Sequence, residues 1–531
     1  MQGIRIRAAL AVALAGAGAG AAAAPAPAVE TLMQDDGVVL GSPSEAAAGE
    51  ALAQMRALGV DRLRLTAGWR SLAPARDETR KPAGFEASDP GAYSGAAIAA
   101  VDRGVRLAAA NGLRVMLDMA FGAPLWATAS RTGDEEIDSA SQPDPAEFAA
   151  FARAMARRYS GGYVPPGAHA PLPRVDVFEL WNEPNVLLFA RPLVRGRTIV
   201  AADWYRRLVA AAYPAVKAVR PDATVVIGST APNAFMSRGA PGSVSPLGFI
   251  RRLACVDDRL RPVSDGECAD FARVPGDGFS HHPYALGFPP ATTGRDPDTV
   301  RIGDLARLRW LLRALVARGR LAPETTGIWL TEFGYETNWP VRSKPWTLAQ
   351  QSRLLAQGEY LARRVPGVRT FPQFLLRDVR TAAAVAALEA GIGRRIQGSW
   401  QSGLYFEDGR PKPAARSFAL TLGAFREPRR PRAELRLWGH VRPPHRAVRV
   451  RIERRRGGTW RGVATRRGAR GRRTVAFWSA SDGSFSRRLP GRAPRRAAFR
   501  LSWLRADGVW EPGPAQPVQA LPPSEGAVPA R

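Results

Sequence analysis

The sequence predicts a (β/α)8 barrel followed by a small all-β, immunoglobulin-like sandwich. From about residue 35 to residue 425, short runs rich in Val, Leu and Ile alternate eight times with longer helical patterns. No G-x-G-x-x-G turn follows any of these runs, which argues against the alternative of a doubly wound nucleotide-binding sheet. After about residue 427 the pattern changes to apolar/polar alternation between Gly, Pro and Ser turns, which predicts antiparallel strands.

The repeating unit is one short strand followed by one helix. The predicted strands are 37–40, 62–66, 114–119, 175–181, 224–229, 278–281, 328–332 and 369–376. The predicted helices are 44–58, 96–111, 145–160, 203–219, 246–254, 302–318, 347–364 and 412–424. The first helix opens with S-P-S-E, which has the spacing of a capping box.

The same patterns predict the domain boundaries. We assign residues 1–28 to a signal peptide, 29–425 to the barrel, 426–432 to a linker, 433–514 to a basic sandwich and 515–531 to a flexible tail. The sandwich contains five Trp residues, which allows two interpretations. They form a carbohydrate-binding strip, or they fill the interior of a packing module; the second is favoured because so small a sandwich needs large side chains inside.

The positive charge of the chain is concentrated at one end. Residues 429–531 contain 25 Arg against six acidic residues and so carry +19 of the net charge of +29. A solvated basic face is the first interpretation, and attraction to an acidic cell-wall polymer or polysaccharide is the second. Nucleic acid is not expected as a partner, because no recognition helix or stacked-aromatic pattern accompanies the Arg clusters.

The N-terminus has the pattern of an export signal. Arg5 and Arg7 precede an apolar Ala- and Gly-rich stretch, and A-P-A at 26–28 supplies small residues for cleavage. No later run is long and apolar enough for a membrane span, so we expect a secreted, extracellular or wall-associated protein. In an oxidising compartment Cys255 and Cys268 are expected to form a disulfide.

Two glutamates lie at the ends of predicted barrel strands, where this fold carries its chemistry. The fourth strand ends in W-N-E-P with Glu183, and the seventh ends in T-E-F-G with Glu332. These strands lie across the barrel mouth from each other, so both carboxylates can face one cleft. Glycosidic bond cleavage needs two carboxylates, one to protonate the leaving oxygen and one to attack or to activate water.

W-N-E-P and T-E-F-G in this strand order resemble the clan A glycoside hydrolases, which are retaining barrel enzymes, and are similar to families 39 and 5. The resemblance implies that Glu183 is the acid/base, Glu332 the nucleophile and Asn182 a contact to the sugar 2-hydroxyl. In V-D-R-L-R-L, Arg64 matches an arginine near the nucleophile.

The same resemblance assigns the sixth strand and the eighth. The motif S-H-H-P-Y implies that His282 contacts sugar and that Tyr284 orients the nucleophile. The eighth strand lacks the terminal Trp common in the clan, and Trp400 in the following loop is the expected replacement.

Physical roles can be expected for several further side chains. Trp126 has a flat apolar face on which a sugar could stack. His281 is expected to make a structural hydrogen bond, and Asp118 to hydrogen-bond behind the site. Trp181 is expected to dry the surroundings of Glu183 and so favour its protonated form.

The sequence therefore predicts a secreted retaining β-glycosidase acting on a polysaccharide or oligosaccharide, with no metal or organic cofactor. The alternative is a catalytically inactive barrel that binds carbohydrate or cell wall.

Overall fold

The structure, a computed structural model, describes residues 28–120, 122–237, 240–285, 287–338, 344–379, 400–427, 434–443, 445–464, 466–467, 473–489 and 496–521. In this part of the chain an eight-stranded parallel barrel is followed by an all-β domain, which confirms the predicted fold class. The signal peptide predicted at 1–28 lies almost entirely outside the described residues.

The barrel contains eight parallel strands and a hairpin inserted after the fifth. In chain order the strands are β1 (Glu30–Gln34), β2 (Arg62–Thr66), β3 (Arg114–Met119), β4 (Val177–Leu180), β5 (Thr224–Thr230), β6 (Phe235–Ser237), β7 (Ala240–Ser243), β8 (Gly278–His281), β9 (Ile328–Leu330) and β10 (Thr370–Phe374). Strands β6 and β7 form the hairpin. The other eight pair in the order β10-β1-β2-β3-β4-β5-β8-β9, and hydrogen bonds from Ile328 N to Gly367 O and from Arg369 N to Ile328 O close the ring.

Helices connect the strands as the alternation predicts. They are α1 (Asp36–Val39), α2 (Glu45–Ala57), α3 (Trp69–Leu72), α4 (Ala96–Ala110), α5 (Glu135–Ser139), α6 (Pro145–Arg158), α7 (Val200–Val219), α8 (Pro246–Leu253), α9 (Leu305–Ala317), α10 (Leu348–Arg363) and α11 (Pro413–Ala419). Ser44 caps α2 by accepting from Ala47 N, and Thr347 and Gln350 form a capping box on α10. Within the part of the chain that the structure describes, no helix is long and apolar enough to cross a membrane.

The first strand differs from its prediction. It is Glu30–Gln34 rather than 37–40, because Asp35 accepts from Val38 N and starts a short helix over the G-V-V run. The preceding residues pair instead with β2 and β10 on both sides. Local capping therefore overrides the strand propensity of two adjacent valines.

The boundary between the domains also differs from its prediction. The last helix ends at Ala419 rather than 424, and β11 (Leu420–Glu427) already belongs to the second domain, so the barrel ends before residue 425. Leu420, Leu422 and Ala424 point into that domain's core, which explains the choice of strand. Of the predicted linker 426–432, the first two residues lie in β11, and the rest fall outside the described residues.

The second domain is built from short, mostly antiparallel strands. These are β12 (Glu434–Val441), β13 (Arg449–Arg456), β14 (Thr459–Gly462), β15 (Arg466–Arg467), β16 (Arg473–Thr474), β17 (Ala476–Trp478), β18 (Ser484–Leu489), β19 (Ala498–Leu504), β20 (Trp510–Pro512) and β21 (Gln516–Ala520). Strand β21 lies where a flexible tail was predicted from 515. It joins β11 to β19, so its backbone groups complete the sheet.

Buried charges fix the second domain to the barrel. Glu359 on α10 accepts from Arg442 (2.6 Å), His440 (2.8 Å) and Arg363 (3.0 Å), and all four side chains are buried. Arg442 also donates to Thr31 at the start of β1. The contacts thus lie at the amino-terminal end of the barrel, opposite the strand ends where this fold carries active sites.

Candidate active site

Four barrel strands bring the predicted residues together at or near their carboxyl ends. Arg64 lies on β2, Asn182 and Glu183 follow β4, His282 and Tyr284 follow β8, and Glu332 follows β9. Because neighbouring parallel strands end at the same edge, residues far apart in sequence become direct hydrogen-bonding partners.

Arg64 is the centre of this group and is completely buried. Its guanidinium donates to Glu332 Oε1 (2.8 Å), Glu179 Oε2 (2.6 Å) and Asn182 Oδ1 (3.0 Å), and lies 2.9 Å from Asp118 Oδ2. Burial acts to lower the pKa of Arg64, but the charges of Asp118, Glu179 and Glu332 outweigh it and raise the pKa. The planar donor fork therefore remains charged and fixes several side chains at once.

Glu332 is held by donors on both oxygens. Arg64 donates to Oε1, and the Tyr284 hydroxyl donates to Oε2 at 3.1 Å. Burial and then the charge of Glu332 raise the pKa of Tyr284 well above its ordinary value, so that hydroxyl keeps its proton. Two donors on one carboxylate fix the orientation of both of its oxygens.

A backbone reversal presents Glu183 to the cleft. Trp181 and Glu183 both have positive φ, at 70° and 43°, a region that residues other than Gly seldom occupy. The Glu183 amide donates to Ser229 O at 3.0 Å, which holds the reversal in place. Such strained positions cluster at functional sites, where the surrounding structure imposes them.

The same reversal turns Trp181 away from the cleft, so the expected contact of Trp181 with Glu183 is wrong. The indole lies between Phe148 and Trp204 at centroid distances of 5.7 Å each, and its Nε1 donates to Phe189 O. It is completely buried in the helix layer. Glu183 instead contacts an imidazole.

His282 lies between the two glutamates. Its Nδ1 is 2.9 Å from Glu183 Oε1, and its Nε2 is 3.1 Å from Ser229 Oγ and 3.7 Å from Glu332 Oε1. Burial acts to lower the pKa of His282, but the charge of Glu332, followed by the hydrogen bond and charge of Glu183, raises it. The ring is completely buried and contacts both carboxylates, so it can position them, and its predicted contact with sugar stays a prediction.

Asp118 occupies the second-layer position that was predicted for it. Burial, opposed by Arg64 and reinforced by Glu179 and Glu332, raises its pKa well above the ordinary 3.8. Its Oδ1 has no hydrogen-bond partner among the described residues. Burial therefore disfavours the charged form of Asp118, which shares Arg64 with two other carboxylates.

The neighbouring histidine is structural, as predicted. His281 pairs with Thr230 Oγ1 (2.9 Å) and Val300 O (2.7 Å), and burial lowers its pKa to about 3.

Two residues of the site were not predicted. Glu179 contacts Arg64, and its second oxygen accepts from Thr331 at 3.3 Å. Its position two residues before Trp181, on the inward face of an otherwise apolar strand, was the available signal. Ser229 gave no signal in the sequence.

The two predicted tryptophan platforms have different surroundings. Trp400 is half-buried and lies 5.6 Å from the ring of Tyr284 and 5.6 Å from that of Phe374. It thus adjoins the residue that donates to Glu332, and its role as a replacement for the eighth-strand Trp stays a prediction. Trp126 packs instead against Trp69 and Phe85.

Further contacts restrain the rings on that side of the barrel. The Trp126 indole donates to Pro74 O, and Lys81 lies 5.6 Å from its centroid, so the structure does not bring Trp126 to the carboxylates.

Cys255 and Cys268 form the predicted disulfide, with 5.6 Å between Cα atoms. It pins the loop after α8. No group of three or more metal-ligating side chains occurs among the described residues.

The comparisons with known proteins agree with the fold. Residues 29–244 match the family model Cellulase (glycosyl hydrolase family 5). No curated protein matches. A glucosidase from Croceicoccus marinus is 14% identical, with 87% of this chain and 93% of that chain covered and a TM-score of 0.45.

Two further solved structures come from other bacteria. GH5_18 from Bifidobacterium longum subsp. longum is 16% identical, with 74% of this chain and 78% of that chain covered and a TM-score of 0.43. An exo-beta-1,4-mannosidase from Opitutaceae bacterium strain TAV5 is 16% identical with a TM-score of 0.40; 73% of this chain is covered but only 58% of the mannosidase. The family model covers less than half of this chain, and the parallel barrel of the structure agrees with the fold that such a match implies.

Proposed function

We propose that the chain is a secreted retaining β-glycoside hydrolase, with Glu332 as nucleophile and Glu183 as acid/base. The observation that carries the proposal is His282, whose two nitrogens lie 2.9 Å from Glu183 and 3.7 Å from Glu332. One small ring contacts both carboxylates, so both can act on one bound sugar. The retaining outcome, for which carboxylates lie about 5–5.5 Å apart rather than about 6.5–9.5 Å, is proposed from the resemblance of the two strand-end motifs to clan A.

In the first step a Glu332 oxygen bonds to the anomeric carbon while the glycosidic C–O bond breaks. Glu183 donates its proton to the leaving oxygen, which takes the bonding electron pair. Arg64 and Tyr284 donate to the two oxygens of Glu332 and hold the carboxylate oriented before the attack.

In the second step Glu183 removes a proton from water, and the resulting hydroxide attacks the anomeric carbon. The ester bond breaks and Glu332 regains its charge. His282 Nδ1 lies 2.9 Å from Glu183 Oε1 and so orients the carboxyl that gives its proton in the first step and takes one in the second.

The substrate contacts follow from the groups that remain free. Asn182 Oδ1 accepts from Arg64, so its amide N–H groups are the donors left for a sugar hydroxyl. Trp400 supplies an aromatic surface beside Tyr284. Both suit a β-linked plant or microbial glycan.

Export is supported by the N-terminal pattern and the disulfide. To test export, the whole chain is expressed in a bacterial host, and the product found outside the cytoplasm is sequenced from its N-terminus. Cleavage near residue 28 is expected; an uncleaved cytoplasmic product contradicts export.

The catalytic assignment is tested with a panel of aryl β-glycosides: glucoside, xyloside, mannoside and galactoside. Cleavage of at least one is expected, Glu332→Gln should abolish it, and added azide should rescue Glu183→Ala as a β-glycosyl azide. Polysaccharides are the second panel, because an endo-enzyme needs several occupied subsites. If the wild type and both variants bind glycans equally and cleave none, the chain is a carbohydrate-binding barrel.

A further inference from the structure

One face of the second domain carries three tryptophans and four arginines. Residues directly opposite each other on neighbouring strands share a face, as do residues two apart along a strand. Arg449 lies opposite Trp478, Arg451 opposite Ser502, Glu453 opposite Arg500, and Arg455 opposite Trp460; Trp510 lies opposite Leu504. We call this set the outer face.

The opposite face of the same strands forms the domain core. Val450, Ile452 and Leu501 are buried there. Of the five tryptophans, Trp438 is buried against the barrel and Trp503 packs on the domain core. The packing interpretation of the sequence therefore applies to these two, and the outer face holds the other three.

Two arginines of the outer face are held over tryptophan rings. The Arg451 guanidinium lies 4.6 Å from the Trp510 centroid, and that of Arg500 lies 4.6 Å from the Trp460 centroid. Glu453 fixes both, with Arg500 at 2.7 Å and Arg451 at 3.5 Å. Guanidinium groups held in this way lose less freedom when they bind a planar anion.

The remaining groups of the outer face are open to solvent. Trp478 is 64% exposed, and Arg449 and Arg455 are exposed on the adjacent strand. Trp478 lies directly opposite Arg449 at one end of the outer face, so an exposed ring and an exposed guanidinium stand side by side, and Arg455 lies opposite Trp460 near the other end. Isolated surface arginines would not explain the aromatic component.

We propose that the outer face binds an acidic polysaccharide, with uronate carboxylates on the arginines and sugar rings on the tryptophans. Arginine forks match carboxylates, and flat indole faces suit the apolar face of a sugar ring. The charge of +19 over residues 429–531 attracts a polyanion from a distance. We choose a glycan rather than another polyanion because the barrel is proposed to be a glycosidase. Whether that glycosidase retains or inverts the anomeric configuration does not affect this choice.

The outer face anchors the enzyme rather than extending its cleft. The second domain contacts the start of β1 through Arg442, at the barrel end opposite Glu183 and Glu332. Anchoring on a polymer raises the local substrate concentration without changing the chemistry at the carboxylates. Binding and catalysis are therefore separable by mutation.

The test is affinity electrophoresis of the full-length chain with polygalacturonate, with neutral mannan and with duplex DNA, each at several salt concentrations. Trp478→Ala and the double variant Arg449→Gln/Arg455→Gln are compared with Trp310→Ala, which removes a 48% exposed tryptophan from α9 of the barrel. All variants are first assayed for their melting temperature and for aryl glycoside hydrolysis, which should not change.

We expect polygalacturonate to be bound, at least tenfold more weakly after either outer-face change and unchanged after Trp310→Ala. DNA binding should be insensitive to Trp478→Ala. Equal binding of mannan and polygalacturonate would overturn the proposal, and so would polygalacturonate binding that Trp478→Ala leaves intact. Tighter, Trp478-dependent binding of DNA would identify a nucleic-acid surface instead. If the wild type cleaves no aryl glycoside, that result counts against the catalytic assignment only and not against binding by the outer face.

Discussion

Asp118 and Glu179 contact the same buried guanidinium, yet we expect their amide variants to behave differently. Glu179 accepts from Arg64 at 2.6 Å and from Thr331, and no part of it is exposed. Glu179→Gln removes one charge from a buried pair, which costs about 3–5 kcal/mol when one partner stays behind. Because Arg64 keeps its contact with Glu332, we expect the lower end, about 3 kcal/mol.

Asp118→Asn is the matched change. Burial and the neighbouring carboxylates raise the pKa of Asp118, so removing its charge costs less than removing that of an ordinary carboxylate, and an amide of similar size can still accept from Arg64. The expected loss of unfolding free energy is below about 1 kcal/mol, in the range of substitutions that leave hydrogen bonding in place. Glu179→Gln should also lower kcat/KM about 100-fold by displacing Arg64, while Asp118→Asn should lower it only a few-fold.

The pH dependence of stability gives a second readout. With its pKa raised above 3.8, folded Asp118 binds more protons than the unfolded chain above about pH 4, so its contribution to stability declines as pH rises. Asp118→Asn should remove that decline. Urea unfolding followed by tryptophan fluorescence between pH 4 and 8, with aryl glycoside kinetics, measures both quantities. Equal losses for the two variants would refute the reasoning, because Asp118 would then be charged.

Three further variants separate positioning from folding. Tyr284→Phe removes the donor at 3.1 Å from Glu332 Oε2. Because a hydrogen bond to a charged group is worth about 1.5–3 kcal/mol, kcat/KM for aryl glycosides should fall about 10–100-fold. The melting temperature should stay unchanged. The raised pKa of His282 contributes stability that is complete below about pH 6.5, its ordinary value, and is lost as pH rises through the folded value. Melting temperatures between pH 5 and 9 should therefore vary less in His282→Gln than in the wild type. An unchanged pH dependence of the melting temperature would contradict the raised pKa of His282. Glu359→Gln leaves Arg442 buried without its charge partner, 2.6 Å away, and should cost about 3–5 kcal/mol in urea unfolding without lowering kcat per folded molecule; a fall in kcat would show that the two domains are coupled through the barrel.

Most barrel strands and the carboxylates at their ends could be located from the sequence because each depends on a short local pattern. Strands 62–66, 114–119 and 278–281 have the bounds that their apolar runs predicted. Barrel topology then places every strand end at one mouth, so Arg64, Tyr284 and Glu332 meet without further information. The prediction of the first strand was wrong because the Asp35 side chain caps a short helix. This single hydrogen bond outweighs the strand propensity of the two adjacent valines.

The roles of inward-facing polar residues were harder to predict. The sequence places His282 at a strand end but does not state whether its ring faces the cleft or is enclosed. In the structure the Nε2 atom of His282 lies 3.1 Å from Ser229 Oγ, so this nitrogen already has a hydrogen-bond partner. Glu179 appears in an apolar strand without its partner Arg64, which lies 115 positions away. Such contacts require the three-dimensional arrangement, because neither residue's own neighbours reveal its partner.

The orientation of Glu183 shows why strained geometry escapes sequence patterns. Alternation along β4 would send Trp181 and Glu183 to the same side, but positive φ at both residues sends the indole into the helix layer and the carboxylate to His282. Nothing in W-N-E-P signals a left-handed backbone, since neither residue is Gly, Asn or Asp. The conformation persists because Phe148 and Trp204 enclose the indole while Ser229 O binds the Glu183 amide. Packing on the far side of the strand thus determines where the proposed acid/base points, so enlarging or emptying that aromatic pocket should disturb catalysis without touching either carboxylate.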